Sequence, residues 1–556
     1  MSFLWPDCLH NTVGVAAILL LLLNTAAVFA DDGREQALQA QLRTLVAKPA
    51  TADTAPAQAT AIQNFYAARE HRPAWVNSRR VMQLRQLDQL ARNHGLDPAD
   101  YHLTELAQRI EQPFDTVDVE ALAALELMAT YSIARLASHL HVGKVDPVGR
   151  YAVAPGAATA PPLITRLLTS AADAESLFAY LDSLPPDTLL YRKLQWSLAW
   201  HRALLEQGTA WALIPRGRTL ETGMTDARVP LLRQRLGLAA REIDANVYDA
   251  ELTQAVADFQ ARHLLDSDGL LGRRTLAALN TSIQARVDQL RVNLEWQRWA
   301  AMPEHDEYLL VNVAHYTMHW MQDGARVWST RTMVGRSRRP TPTFKSAFSA
   351  IMINPAWTVP PTIFREDLLP QLQADAGHLQ RQRMRVIDRS GHAVDSAMID
   401  WQQTNAADFP YRLRASPGGS NPLGRMKFLT PNPYLVYLHD TPAKHLFKNA
   451  TRAFSSGCIR VEQPEILAKF LTDRQPGNAR ERLQAALAAK RTRFIGLEQP
   501  IPIVVMYGTV DLNAADELVF ARDLYGKDLR VLTALNSIDE QERTTVLANL
   551  APLITL

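Results

Sequence analysis

The chain has 556 residues, enough for three or four domains that bury their own cores without disulfide or metal support. Apolar residues make up 47% and charged residues 21%, and 59 basic residues stand against 57 acidic ones, a net charge of +2. This balance excludes a mainly disordered chain, a multi-span membrane protein and a whole-chain field for nucleic acid.

Residues 13–29 are almost all apolar, and Asp31 and Asp32 follow at once. Residues 1–30 are therefore expected to be a secretory signal peptide or an N-terminal anchor, with the body of the protein across the inner membrane. Cys8 lies in that segment, so the exported part holds one cysteine, Cys458. A lone thiol in an oxidising compartment is an intermolecular partner, an inert buried group or a nucleophile.

Residues 46–60 are an Ala/Thr/Pro-rich linker or loop, and 31–225 form a mainly helical domain. Leu122, Leu125, Ala129, Ile133, Leu136 and Leu140 recur every three or four positions, and Gly143 is placed to cap that helix. A Pro/Gly/Ala stretch at 143–162 interrupts the pattern, and residues 189–205 form another amphipathic helix. Residues 226–282 make a compact helical unit around the turn Asp266-Ser267-Asp268-Gly269, with Val256, Phe259 and His263 on one face. A helical linker follows over 283–305. At Tyr308 the period changes. YLLVNV, YTMHWM, ARVWSTRTMV and SAFSAIMIN are short, β-branched or aromatic, and separated by turns. The β-rich domain spans 306–530, with YLVYLHD (434–440) and PIVVMYGTV (502–510) as later strands and a helix at 464–471. Residues 359–418 break the pattern with TIFREDLLPQLQ and many charges, and are taken as a helical insertion. Residues 531–556 form a tail. The fold class is multidomain α+β.

Chemistry concentrates in Tyr437-Leu438-His439-Asp440 and Phe454-Ser455-Ser456-Gly457-Cys458-Ile459-Arg460. A free cysteine is only ~3% thiolate at neutral pH, and a nearby imidazole can take its proton and return it to a leaving amine. His439 ends an apolar strand, a rigid platform for a base. Ser456 and Gly457 allow close backbone approach to a substrate carbonyl, and N–H groups there would form an oxyanion hole. Tyr437 shares a strand face with His439, and Arg460 follows the thiol by two residues.

These residues resemble the signature of YkuD-type L,D-transpeptidases: a His after a hydrophobic strand, then Ser/Thr-X-Gly-Cys-apolar-Arg/Asn. Val334-Gly335-Arg336 with Thr341-Pro342-Thr343, and Asn354-Pro355-Ala356-Trp357-Thr358-Val359-Pro360, resemble upstream motifs of the same domain. FYAAREHRPAWV (65–76) is similar to the start of the scaffold domain in the large YcbB-type enzymes of Gram-negative bacteria. Residues 226–282 resemble their peptidoglycan-binding-type domain, and 359–418 their substrate-capping lid.

The resemblance implies a periplasmic enzyme in which Cys458 attacks the diaminopimelate carbonyl of a tetrapeptide donor stem and releases D-Ala. The side-chain amine of an acceptor stem then resolves the thioester as a 3→3 cross-link. His439 would be base and then acid, oriented by a backbone carbonyl. Asp440 points to the other side of its strand and is given no triad role. Gly457 and Ser456 would serve the oxyanion, Tyr437 would line the donor pocket, and Arg460 would hold a stem carboxylate. Many relatives carry a second His before the Gly-Cys pair. Ser456 stands there, which leaves the base role to His439, with His445 the competitor. Carbapenem-type inhibitors and other cell-wall synthesis enzymes are the further partners implied. No cofactor, metal or nucleic acid is expected. The alternatives are an L,D-carboxypeptidase that resolves the same thioester with water, and a non-catalytic wall-binding protein. The run from Arg326 to Lys345 holds six basic residues and no acid, and is either a solvated face or an attractor of wall polymer and stem carboxylates.

Overall fold

The computed structural model describes residues 32–47, 56–111, 117–145, 160–301, 305–489 and 491–537. The expected signal or anchor, Cys8, and much of the 46–60 linker, the 143–162 stretch and the 531–556 tail lie outside the described residues. Among those described, no helix is long and apolar enough to cross a membrane. The chain divides into two compact units. One is built from residues up to 145, 153–186 and 533 onward, and the other from Asp187–Leu532 with 146–152.

The first unit is helical, with α1 (Asp32–Val46), α2 (Pro56–Ala68), α3 (Val119–Val142) and α4 (Pro161–Asp173). The side chain of Asp118 caps α3 on the Ala121 N–H, and Gly143 ends it at φ +96°. The three-and-four spacing read from the sequence is the buried stripe of α3. The same helix carries Glu126, fully buried, which accepts the backbone N–H groups of Ala74, Trp75 and Val76 and the Tyr66 hydroxyl. One carboxylate thereby fixes a loop that has no helix or strand to satisfy it. Glu126→Ala would leave three buried N–H groups without an acceptor and should lower stability by about 3–5 kcal/mol. Urea denaturation measures this, and an unchanged midpoint would refute it.

In the second unit, α5 (Leu189–Glu206) packs on α9 (Ile283–Ala300) through Leu190, Leu194, Leu198, Leu290 and Leu294. The helix expected at 189–205 thus belongs to this unit, whereas the sequence grouped it with the helical domain before it. The small helical unit consists of α6 (Val229–Arg235), α7 (Ala250–Ala261) and α8 (Arg273–Leu279). Its core also draws Ile214 and Leu220 from upstream of residue 226. Buried Gln260 ties the expected turn together, accepting from the Gly269 N–H and donating to Asp268 and the Leu270 carbonyl.

The strands between residues 307 and 506 are β1 (Glu307–Asn312), β2 (Thr317–Gln322), β3 (Ala325–Gly335), β4 (Phe344–Ile353), β5 (Trp357–Thr358), β6 (Met384–Ile387), β7 (Ala393–Val394), β8 (Arg412–Ala415), β9 (Met426–Leu429), β10 (Leu438–His439), β11 (Ala453–Ser455), β12 (Ile459–Val461) and β13 (Arg493–Met506). Nine of them form one sheet in the order β11-β3-β12-β10-β9-β4-β13-β1-β2. Strand β2 also pairs with β3, so the sheet closes on itself.

The first four expected strands are all present. The fifth is shorter than expected. Only Leu438 and His439 of YLVYLHD are strand, because Asn432 folds 432–436 into a turn: its side chain accepts from the Tyr434 and Val436 N–H groups, and Leu435 sits at φ +57°.

The insertion is not purely helical. It pairs β5-β8-β6-β7 into its own sheet and adds a π-helical turn (Phe364–Leu368) that leads into α10 (Leu369–Ala374). Phe364, Leu372, Leu379, Trp401 and Leu413 give it a separate apolar core. The helix expected at 464–471 is α11 (Pro464–Asp473), opened by its proline.

Candidate active site

Strands β10 and β12 run parallel, with Leu438 paired to Ile459 and His439 to Arg460. The Ile459 N–H donates to the Tyr437 carbonyl at 3.1 Å, which brings Cys458 beside Tyr437. Paired residues share a sheet face, and alternation carries that face to every second position. Tyr437, His439, Cys458 and Arg460 therefore lie on one face. Lys427 of β9, paired with His439, joins them.

The Cys458 thiol is hydrogen-bonded to the Tyr437 hydroxyl, and the Tyr437 hydroxyl also bonds to the Trp357 side chain. Lys427 Nζ stands 3.6 Å from the centre of the Tyr437 ring. Burial pushes the Cys458 thiol up from its ordinary value, with Tyr437 and the Lys427 charge opposing. Burial pushes His439 down to about 3, and the Arg460 charge adds to the shift. At neutral pH the thiol and the imidazole on this face are thus both neutral. His439 Nδ1 bonds to the backbone carbonyl of Asp440. A carbonyl only accepts, so Nδ1 carries the proton and Nε2 keeps its lone pair as a base. The Asp440 carboxylate is occupied elsewhere, by the Arg425 N–H at 2.8 Å and Lys444 at 2.7 Å. The carbonyl rather than the carboxylate orients the ring.

The loop that presents Cys458 is held from within and from outside. Ser455 Oγ donates to the Cys458 carbonyl at 2.6 Å and accepts the Gly457 N–H at 3.1 Å. That N–H is therefore engaged inside the loop, and the role expected of Gly457 as an oxyanion donor is not what the geometry gives. Gly457 serves by its backbone instead, at φ +116°, which L side chains rarely adopt. Thr341 Oγ1 donates to the Gly457 carbonyl at 2.8 Å and accepts the Gly335 N–H at 2.9 Å, binding the 335–341 turn to the loop. A Cβ on Gly335 would lie 2.1 Å from the Arg339 carbonyl oxygen. Gly335→Ala must therefore open the turn. It should slow acylation of Cys458 by about 100-fold, the scale of a 1 Å misplacement, while far-UV circular dichroism stays unchanged. A near-normal rate would show that the loop holds its shape without the turn.

Ser456 faces outward from this loop, and its Oγ accepts from Arg339 at 2.9 Å and Arg336 at 3.4 Å. Arg460 is on the thiol face, and its Nε has no hydrogen-bond partner among the described residues. His445 lies exposed on a short 3₁₀ turn, whereas His439 is buried on the thiol face. Sequence reasoning missed Lys427, whose one signal was a lysine inside the apolar run Met426–Leu429. It also missed the acidic partners of Arg336 and Arg339. Arg336 holds both oxygens of Asp367 at 2.9 Å, and Arg339 bonds Asp367 and Glu366. A separate cavity of about 740 Å³ is lined by Arg273, Arg274, Arg286, Arg522 and Asp528 and includes none of the residues around Cys458.

Three stretches of the chain match known families. Residues 60–198 match a scaffold domain, residues 232–279 a "Putative peptidoglycan binding domain", and residues 306–480 YkuD, the L,D-transpeptidase catalytic domain. A Haemophilus influenzae protein named "Putative L,D-transpeptidase" is 33% identical over 271 residues, which cover 48% of this chain and 54% of that protein. The chain thus spans about half the length of this curated relative. A solved structure of the L,D-transpeptidase from Xylanimonas cellulosilytica aligns at 13% identity over 52% of this chain and 98% of that chain, with a TM-score of 0.18, and no argument rests on it.

Proposed function

We propose that this chain, which carries an L,D-transpeptidase catalytic domain with scaffold and peptidoglycan-binding domains, forms 3→3 cross-links between peptidoglycan stems. The observation that carries this reading is the shared face of Cys458 and His439, with the His439 ring fixed by the Asp440 carbonyl. In the first half-reaction Cys458 Sγ bonds to the diaminopimelate carbonyl carbon while its proton passes to His439 Nε2. The bond to D-Ala then breaks, and the proton leaves on the D-Ala amine. In the second, the acceptor amine bonds to the thioester carbonyl, the S–C bond breaks, and the amine's proton returns through His439 to the thiol. Because both groups start neutral, proton transfer accompanies attack rather than preceding it. Tyr437 and Lys427 face the carbonyl oxygen as charge develops, and Arg460 takes an anionic group of the stem. The reading places the protein on the outer side of the inner membrane, where peptidoglycan is built.

The test is mass spectrometry of products from a disaccharide-tetrapeptide of the diaminopimelate type. A cross-linked dimer short of one D-Ala supports transpeptidation. Tripeptide alone means that water resolves the thioester and the protein is an L,D-carboxypeptidase. No product, together with no labelling of Cys458 by a carbapenem, would leave a wall-binding role.

A further inference from the structure

The lid meets the turn that holds the catalytic loop at a charged cluster. The Arg336 N–H donates to the Ser455 carbonyl at 3.0 Å, and the Arg339 guanidinium donates to Ser456 Oγ at 2.9 Å, two residues from the nucleophile. Together with the Thr341–Gly457 bond, the 335–341 turn grips the loop at three successive residues. Its arginines are thus fixed with respect to Cys458. Their acidic partners, Glu366 and Asp367, come from the π-helical turn of the lid, a geometry that recurs at functional sites.

The fit of Asp367 to these arginines is incomplete. Both of its oxygens bond to the same nitrogen, Nη2 of Arg336. The Nε–H of Arg336 is buried and has no partner among the described residues. A guanidinium binds a carboxylate best side-on, through two parallel N–H bonds. A carboxylate entering from the substrate side could use both Nε and Nη2, satisfying the donor that Asp367 leaves orphaned. Arg339, only 10% exposed, would supply the second cation.

We propose that Arg336 and Arg339 form a carboxylate-binding site for the peptide stem beside Cys458, and that Asp367 of the lid occupies it as a stand-in which the substrate displaces. The proposal rests on the transpeptidase reading for the identity of its ligand. The shared chemistry is a carboxylate, supplied by the leaving D-Ala or by the second carboxyl of diaminopimelate. Binding then coincides with release of the lid, so one set of arginines reports substrate to both loop and lid.

Two measurements on the full chain test it. The first needs no enzymatic activity. Cys458 is alkylated with 4-maleimidobutyric acid and, separately, with its neutral amide, and the ratio of the two rates is taken at physiological salt. Asp367→Asn should raise the acid-to-amide ratio at least threefold, and Arg336→Gln should lower it at least threefold. Asp375→Asn, which removes a lid charge paired with Arg381 instead, should leave the ratio unchanged. A ratio that is the same in all four proteins, or that follows net charge in Asp375→Asn as well, overturns the proposal.

The second measurement is the donor KM for D-Ala release, with the free tetrapeptide and with donors amidated at either carboxyl. Arg336→Gln should raise KM about tenfold for the free donor, and should have no effect on the donor whose amide removes the contact. That arm identifies the source. An equal rise for all three donors overturns the site. The expected maleimide ratios without any D-Ala release would uphold the site and sink the transpeptidase reading. D-Ala release with a flat ratio would do the reverse.

Discussion

Cys458→Ala should abolish D-Ala release and carbapenem acylation together, a loss of about 10⁴-fold or more, while the melting temperature moves by no more than about 4 °C. The chemical loss is total because no other described cysteine exists to take over the attack. The structural loss is small because the thiol bonds only to Tyr437, through its backbone N–H and its hydroxyl, and the hydroxyl keeps Trp357 as a partner. The backbone of the loop is held by Ser455 and Thr341, neither of which uses the thiol. Intact-mass analysis after carbapenem incubation and a D-Ala assay read the two losses, and a thermal melt reads the fold. Cross-linking that survived in this variant would end the thioester mechanism.

His439→Gln should lower kcat by about 10²–10⁴-fold, the range of a lost general base, with a small change in KM. The pH profile gives a sharper test in the unaltered protein. A base titrating at the ordinary value of about 6.5 would lose roughly 25-fold in active fraction between pH 7 and pH 5. His439, held at about 3 by burial and by Arg460, stays neutral across that interval. The expected result is a kcat/KM at pH 5 within a few-fold of that at pH 7. A 25-fold fall would mean that the working base is not His439. The same shift acts on folding. The folded-state value lies below the unfolded one, so between about 6.5 and 3 the unfolded chain binds the extra proton. Stability is therefore full above pH 6.5 and declines as pH falls toward 3. His263, pushed to about 3, and His319, pushed to about 4, act in the same direction. His439→Gln should lose less stability than the parent protein on acidification, because one of these groups is gone.

The strands β1 to β4 were legible in the sequence because each is six residues or longer, and alternation over that length leaves a pattern. The insertion's sheet was not, because strands of two to four residues carry too few positions to alternate. Cys458 and His439 were legible as a motif. The face they share became visible only with the β10–β12 register, which also brought in Lys427 from a third strand. The Asp367–Arg336 pair was hidden for a different reason. The two positions are 31 apart, and nothing in a run of charges says which carboxylate of the insertion a basic turn will meet. The turn at 432–436 overrode a good strand pattern because Asn432 satisfies the backbone locally, which a hydrophobicity period cannot register.

Closure of the nine-stranded sheet has a consequence for association. Every strand in it except β11 is bordered by a neighbour on both sides. At the β11 end of the sheet, the unpaired row of N–H and C=O groups that invites another chain to add a strand is three residues long, and it ends at Ser455. An extended peptide backbone that added to β11 would lie three residues from Cys458.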